Sequence, residues 1–455
     1  MSLPKSSENS SKILTHSITN GQALLGVLIA IAIFAILSHT LFTLIGSSYN
    51  LVSYNRARIT AKHLAQENME IIRNIPYESL GTEGGIPTGL LPQETTVEKN
   101  GLEFTVKTNI IYINDPFNGT NPEDTDYKKV SVEVSWGGVA QSRKNPVTLV
   151  SDFAPKLVTE GEGGTLKILV LDANGNRLSG AQVHIAASTL TPVVDLTQTT
   201  GSNGEITLPG AQPCSNCYEI TVTKSGYSTD KTNSTDEVFN PNKPHASLID
   251  GQLTQVSFTI DTLANLEINS VDSRENEFTS LGNLPFNIRG NKQIGTDETG
   301  LPVYKYDNNF TTNAEGQYQL SDLEWDVYSI TMPETTTYSI AGSQPLLPIN
   351  LMPGNSITLT FTIKPYTTHN LLVITKDPSQ NLLENVYLRL YDGLGFETAT
   401  QSGSSANPDF GQNLFSDLNE EVVYFLEATA SGYLDKTQNA YVYGYTVDEI
   451  ILTPE

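Results

Sequence analysis

Cys214 and Cys217 are the only cysteines in the chain and are spaced as Cys-Ser-Asn-Cys. Two thiols do not complete a four-ligand zinc site, and no histidine pair lies nearby to finish one. A redox Cys-x-x-Cys belongs at a helix N-terminus after a strand. This pair follows Gly210 and Pro213 and precedes the strand-like run from Tyr218. The spacing therefore predicts a structural disulfide closing a hairpin, with free thiols as the alternative; oxidation would fit an exported location. A second cluster, Asp115, Asn118, Glu123, Asp124 and Asp126, sits in a Gly-containing loop. Ca²⁺ takes oxygen ligands of this kind, so Asp115, Asn118, Asp124 and Asp126 form a candidate Ca²⁺ loop, although the spacing is not that of an EF-hand. The alternative is a solvated acidic loop.

Other chemistry is sparse. His16, His39, His63, His184, His245 and His369 are scattered and form no HExxH or other metal-ligand spacing. The chain has no GxSxG elbow and no P-loop, and Gly84-Gly85 and Gly137-Gly138 read as turns. A glycosidase carboxylate pair is defined by separation in space and leaves no sequence motif. The expectation is a non-enzymatic protein with no cofactor beyond the candidate Ca²⁺. A net charge of −24 with 26 Lys and Arg argues against nucleic acid and against a basic face for anionic lipid.

The elements that organise the chain begin at its N-terminal end. Ala23 to Leu37 contains only Ala, Leu, Gly, Val, Ile and Phe, and apolar character resumes from Leu41 to Ile45 after Ser38-His39-Thr40. A polar stretch with Lys5, Glu8, Lys12 and His16 precedes it, ending at Gly21. A secretory signal would have a shorter apolar core and a small-residue cleavage site. Ala23 to Ile45 instead approaches the ~20 residues that cross ~30 Å of hydrocarbon. Lysines and arginines flank both sides of the span, so the charge rule does not set its orientation.

From Gly46 to Ile75 there is no proline, and Ala61, Ala65, Met69 and Ile72 recur on one face of a 3.6-residue helix, with Leu64 adjoining. Pro76 ends it near Ile75. One helix over 22–75 is expected, with a break near Gly46-Ser47-Ser48 as the alternative. Its apolar stripe needs a partner, which the next segment supplies. Val130, Val132, Val134 and Trp136 alternate with Ser131, Glu133 and Ser135, and Glu103 to Ile113 reads as a second strand.

A polar leader ending in Gly, followed by an apolar helix that turns amphipathic without a break, resembles the prepilins of type IV pili and type II secretion pseudopilins. The resemblance implies peptidase cleavage between Gly21 and Gln22, N-methylation of Gln22, and packing of the helix among other pilin subunits. Where the family usually has Phe at the first mature position and Glu at the fifth, this chain has Gln22 and Gly26. The Glu pairs with a neighbouring subunit's terminal amine, which Gly26 cannot do. These departures point to a minor, tip or priming subunit, with its C-terminal part outside the cell.

Past Pro155, short Thr-rich strands alternate with Gly, Asn, Asp and Pro turns. Val256, Phe258 and Ile260 alternate with Ser257 and Thr259; Ile357, Leu359, Phe361 and Ile363 alternate with threonines. Such runs argue for antiparallel sandwiches. Ser225-Gly226-Tyr227 recurs as Ser431-Gly432-Tyr433, about two domain lengths apart. One unit fits between them, without that signature. The first unit resembles the carboxypeptidase-regulatory-like, transthyretin-like sandwich through Leu169-Val170-Leu171-Asp172, Gly175, Gly180-Ala181, Gly204, Tyr218 and Lys224-Ser225-Gly226-Tyr227. In such families the sandwich implies a spacer or adhesive surface.

The expected fold is α+β and mainly β. It comprises a leader (1–21), a membrane and amphipathic helix (22–75), a small antiparallel pilin-like sheet (76–155), and three Ig-like or transthyretin-like sandwiches (156–262, 263–365 and 366–455). The leading functional reading is a minor type IV pilin or pilin-like surface subunit for adhesion or spacing. Its partners would be other pilin subunits, the prepilin peptidase, the membrane, and a surface glycan or protein ligand. The alternatives are a single-pass surface binding protein that never polymerises and a pseudopilin of a secretion or DNA-uptake machine.

Overall fold

The computed structural model describes residues 20–113, 127–137, 146–154, 163–333, 336–420 and 422–455, with side chains described from residue 27 onward. It is mainly β, with one long helix ahead of many antiparallel and mixed sheets. The chain divides into two compact units, residues up to 82 with 89–110 and 129–153, and 83–88 with 111–128 and 154–455.

In the first unit a single helix, α1, runs Asn20–Arg73 over 54 residues without interruption at Gly46. At ~1.5 Å per residue it is about 80 Å long. It stops two residues before the Ile75 that proline placement predicts, because Asn74 and Ile75 donate to the carbonyls of Ile71 and Ile72 in a tightened last turn. Four strands follow, β1 (Glu94–Lys99), β2 (Leu102–Ile113), β3 (Tyr127–Trp136) and β4 (Val147–Phe153), in the order β1-β2-β3-β4. Ala57, Ala61, Leu64, Ala65, Met69 and Ile72 share a core with Phe104, Val106, Ile110, Val130, Val132, Val134 and Trp136. The helical stripe and the alternating strand are thus the two halves of one buried layer.

The second unit contains three successive sheet pairs. The first is built from β5 (Gly164–Leu171), β6 (Gln182–Ala187), β7 (Val194–Thr199), β8 (Glu205–Ala211), β9 (Cys214–Thr223), β10 (Asp230–Lys231), β11 (Asn240–Pro241), β12 (Ala246–Leu248) and β13 (Leu253–Thr259). The second has β14 (Ala264–Val271), β15 (Pro285–Gly290), β16 (Gln293–Thr296), β17 (Pro302–Tyr304), β18 (Asp307–Thr311), β19 (Gln317–Leu323), β20 (Asp326–Thr331), β21 (Tyr338–Gln344), β22 (Ile349–Leu351) and β23 (Ser356–Pro365). The third has β24 (Asn370–Lys376), β25 (Tyr387–Tyr391), β26 (Glu397–Gln401), β27 (Gln412–Phe415), β28 (Val423–Thr429), β29 (Lys436–Tyr441) and β30 (Tyr445–Ile451). Each pair closes over its own apolar cluster.

The three follow one plan. In each, the opening strand (β5, β14, β24) pairs antiparallel with a middle strand (β8, β19, β27) and parallel with the closing strand (β13, β23, β30). The facing sheets run β7-β6-β9-β10, β18-β15-β20-β22 and β26-β25-β28-β29. The antiparallel arrangement expected from local alternation therefore holds in each facing sheet, while the sheet that carries the opening and closing strands is mixed. Alternation reports which face a side chain takes and is blind to the direction of the neighbouring strand.

Matching residues recur at matching places. Tyr218 is buried midway along β9, and Tyr328 and Tyr424 are buried near the starts of β20 and β28. The Tyr218 and Tyr328 hydroxyls donate to the carbonyls of Gln212 (2.9 Å) and Glu324 (2.7 Å), and Tyr424 accepts from the Asn419 amide at 2.8 Å. This is the tyrosine-corner arrangement, which ties a strand to the loop before it. Gly204, Gly316 and Gly411 each adopt positive φ, and their carbonyls accept from Val170, Ser270 and Thr375 on the opening strands. The hydroxyls of Thr200, Thr312 and Ser402 accept from the amides of Ala181, Leu284 and Val386.

The Ser-Gly-Tyr signature fastens the closing segment. Gly226 and Gly432 accept from Leu263 and Glu455, whereas the middle unit makes the comparable link from Tyr366 to Thr337. The middle unit thus follows the same plan with other residues at that corner. Replacing Tyr218, Tyr328 or Tyr424 singly by Phe strands a backbone partner and should cost about 1–3 kcal/mol. Urea titration should show a lowered midpoint with an unchanged slope, and an effect at the middle tyrosine comparable to the outer two.

Candidate functional site

Within α1, residues 27–52 present Leu28, Ile31, Phe34, Leu41 and Phe42 to the surroundings, with Phe34 and Phe42 each 72% exposed. Helix α1 is long and apolar enough to cross a membrane. Four of its hydroxyls are satisfied inside the helix. Thr40 donates to Leu37 (2.8 Å), Thr43 to Thr40 (2.8 Å), Ser47 to Thr43 (2.8 Å) and Ser48 to Leu44 (2.9 Å). Hydroxyls bonded to a carbonyl three or four residues back carry little cost in an apolar medium. His39 lies exposed among them. The transition to the amphipathic half occurs near Tyr54, which packs beside Trp136 at 5.8 Å between ring centroids.

Gly21 and Gln22 fall in the first turn of α1, before the residues whose side chains are described. Asp115, Asn118, Glu123, Asp124 and Asp126 lie outside the described residues. Among the described residues no group of three or more His, Cys, Asp or Glu could hold a metal ion. Cys214 and Cys217 lie at the start of β9 with their sulfurs in bonding contact and Cα atoms 6.0 Å apart. The turn at Gln212-Pro213 does not make the expected hairpin. It carries the chain from β8 in one sheet to β9 in the facing sheet, and the cysteines bracket a bulge where Asn216 takes φ 47°. The Asn216 amide donates to Ser247 Oγ of β12 at 2.7 Å.

Sequence reasoning gave no signal for the junctions between successive sheet pairs. At the first, Asn240 and Pro241 pair antiparallel with Thr296 and Gly295, so a segment of the first pair becomes the edge strand of a small separate sheet, β11-β16-β17, carried by the second. Lys305 Nζ donates to the Thr229 carbonyl at 2.7 Å. A cleft of about 350 Å³ opens there beside Tyr227, Tyr306 and Tyr328. Both of its ammonium groups are engaged by Glu324, Lys292 at 2.8 Å and Lys305 at 2.5 Å, and burial pulls the Lys292 pKa down. At the second junction, the Gln412 side-chain amide accepts from Ser343 N (3.1 Å) and donates to Ser343 O (2.7 Å), imitating a strand partner for β21. Tyr445 donates to the Ile340 carbonyl at 2.8 Å, and Ala341, Leu372 and Leu414 form a small apolar cluster.

No family model matches the chain, and no curated protein matches it. Among solved structures it is similar to the Bacillus anthracis TIE protein, at 16% identity over 79% of this chain and 73% of that one, with a TM-score of 0.18. It is also similar to GBS52, the minor pilin of Streptococcus agalactiae, at 14% identity over 45% of this chain and 97% of that one (TM-score 0.23). A third is the pilus adhesin SpaC from Lactobacillus rhamnosus GG, at 11% identity over 72% and 48% (TM-score 0.16). Likenesses this weak carry no argument about fold or function.

Charge enters the second junction through one pair. Arg274 Nη2 lies 2.6 Å from Asp409 Oδ2, and Nη1 donates to the Gln401 carbonyl at 2.8 Å. The Asp409 side chain is 8% exposed, and its Oδ1 is buried without a hydrogen-bond partner. Burial pushes its pKa up despite the guanidinium. A carboxyl whose folded pKa is raised takes its proton in the folded chain before the unfolded one. Its contribution to stability therefore grows as pH falls toward the ordinary carboxylate value. Thermal unfolding across pH 7 to 4 should show that contribution flattened in Asp409→Asn. Arg274→Ala, which leaves the carboxylate buried and unpaired, should lose about 3 kcal/mol at neutral pH.

Proposed function

We propose that the chain is a minor type IV pilin or pilin-like surface subunit, held in the membrane by α1 and then assembled with other pilin subunits through the same helix. The observation that carries this reading is the division of one unbroken helix into two halves. Residues 27–52 leave their apolar side chains without a partner among the described residues, while Ala57 to Ile72 buries its stripe under the four-stranded sheet. A plain anchor needs the first half only. A helix that is both bilayer-spanning and welded to a sheet suits a subunit whose apolar half passes from lipid to the flanks of other helices.

In this reading the three sheet pairs are sandwich domains of the transthyretin-like kind, which space or present a binding surface outside the cell and perform no catalysis. The Cys214–Cys217 disulfide forms there and fixes the bulge at the start of β9. The leader is removed between Gly21 and Gln22, and Gln22 becomes the methylated terminus. Intact-mass and N-terminal peptide spectrometry of the chain from its native membrane should give N-methylated Gln22, and Gly21→Leu should leave the leader attached. A wild-type chain that keeps its leader would overturn the pilin reading in favour of a non-polymerising surface protein.

A further inference from the structure

The three sheet pairs share one topology, so their outward faces can be compared position by position. On the first, the outward residues of β6, β7 and β9 include Gln182, His184, Asp195, Thr197, Glu219 and Thr221. On the second, β15, β18 and β20 place Asn287, Arg289, Asp307, Asn309 and Ser329 there. Neither outward strand set carries an aromatic residue; Tyr304, which stacks on Arg289, comes from the separate strand β17.

The third face is different. Tyr391 of β25 lies opposite Phe425 of β28, with ring centroids 5.3 Å apart and planes inclined by 27°. Val423 lies opposite Tyr441, one pleat along the same face, and these are 42% and 53% exposed. Leu394, at the adjoining hairpin tip, is 87% exposed. The polar groups beside this row are fixed. Arg389 spans Glu397 (2.9 Å) and Glu427 (2.9 Å) while its guanidinium covers the Tyr391 ring at 4.4 Å. Asn439 stands opposite Phe425.

We infer that this face, built by Tyr391, Phe425, Val423 and Tyr441 with Arg389, Glu397 and Asn439 at its edge, is a binding site for neutral carbohydrate. The inference deepens the surface-subunit reading and rests on it. Exposed apolar rows rimmed by polar residues mark interaction surfaces. Aromatic and aliphatic groups meet the C–H faces of a pyranose, while carboxylate and amide oxygens held in place accept from its hydroxyls. Charge selects among ligands. Two carboxylates share one guanidinium here, on a chain of net charge −24, so anionic polymers and anionic membranes are repelled. The face is an open sheet, which suits a flat sugar ring better than a peptide needing side-chain pockets.

The test uses the full chain in detergent micelles, passed over immobilised N-acetyllactosamine, cellotetraose and maltotetraose, with heparin and polysialic acid as charged comparators. Retention is expected on at least one neutral oligosaccharide. It should weaken about tenfold or more in Tyr391→Ser/Phe425→Ser and in Tyr441→Ser, as for loss of an aromatic anchor. Thr221→Ser on the first face should leave retention unchanged, and unfolding midpoints confirm that the variants fold. No retention on the neutral sugars, retention only on the charged ones, or retention indifferent to the aromatic substitutions each overturns the site. Patch-dependent dimerisation in sedimentation without sugar binding overturns it in favour of a second copy as occupant. Because the assay needs neither cleavage nor assembly, its failure leaves the result at Gln22 standing, and failure at Gln22 leaves the sugar result standing.

Discussion

Parallel pairing of the first strand with the last is the constraint from which the second unit follows. In an antiparallel pair the chain would leave a domain at the end where it entered. Here β5 runs beside β13, β14 beside β23 and β24 beside β30 in the same direction. Entry and exit are therefore separated by the length of a strand, about 23 Å for seven residues at ~3.3 Å each. The next domain must begin beyond the exit. The links are short, residues 260–263 and 366–369, so consecutive domains are forced into contact. The strand exchange at Asn240–Pro241, the Gln412 amide on β21 and the Arg274–Asp409 pair are what that contact looks like at each junction.

The helix obeys a different constraint. On a helix apolar enough to cross a membrane, a polar group costs least when its partner lies within the helix, and Thr40, Thr43, Ser47 and Ser48 find theirs in carbonyls of the preceding turn. Beyond Tyr54 small residues take over the buried stripe. Ala57, Ala61 and Ala65 let the helix approach the sheet closely, and Leu64, Met69 and Ile72 fill the space at either side. The change from an all-round apolar surface to a single stripe is written in residue size and needs no break in the backbone.

Local features were legible in the sequence and distant ones were not. The stripe of α1 and the alternation of Val130, Val132, Val134 and Trp136 are periodic within a few residues, and their periods correspond to physical faces. The middle domain was harder. It lacks Ser-Gly-Tyr, and the added strands β16 and β17 lengthen the run between β15 and its first fixed point, Thr312. A buried tyrosine two residues ahead of an inward Ile or Leu, as in Tyr218-Glu219-Ile220, Tyr328-Ser329-Ile330 and Tyr424-Phe425-Leu426, was a signal that could have found all three. Strand direction left no trace in local pattern, nor did Arg274 and Asp409, which are 135 residues apart. The aromatic row needed the register of β25, β28 and β29, because Tyr391, Phe425 and Tyr441 mean little until they share a face.

The same parallel closure decides how these domains bear tension. If the anchor is pulled one way and a bound surface the other, force enters the first domain at the start of β5 and leaves at the end of β13. The two strands are then drawn lengthwise past each other, and the whole ladder between them is loaded at once in shear. An antiparallel terminal pair would be peeled open one rung at a time. The closing strand thus acts as a mechanical clamp in series with the links, and the first two domains resist extension through the same pairing that spaces them.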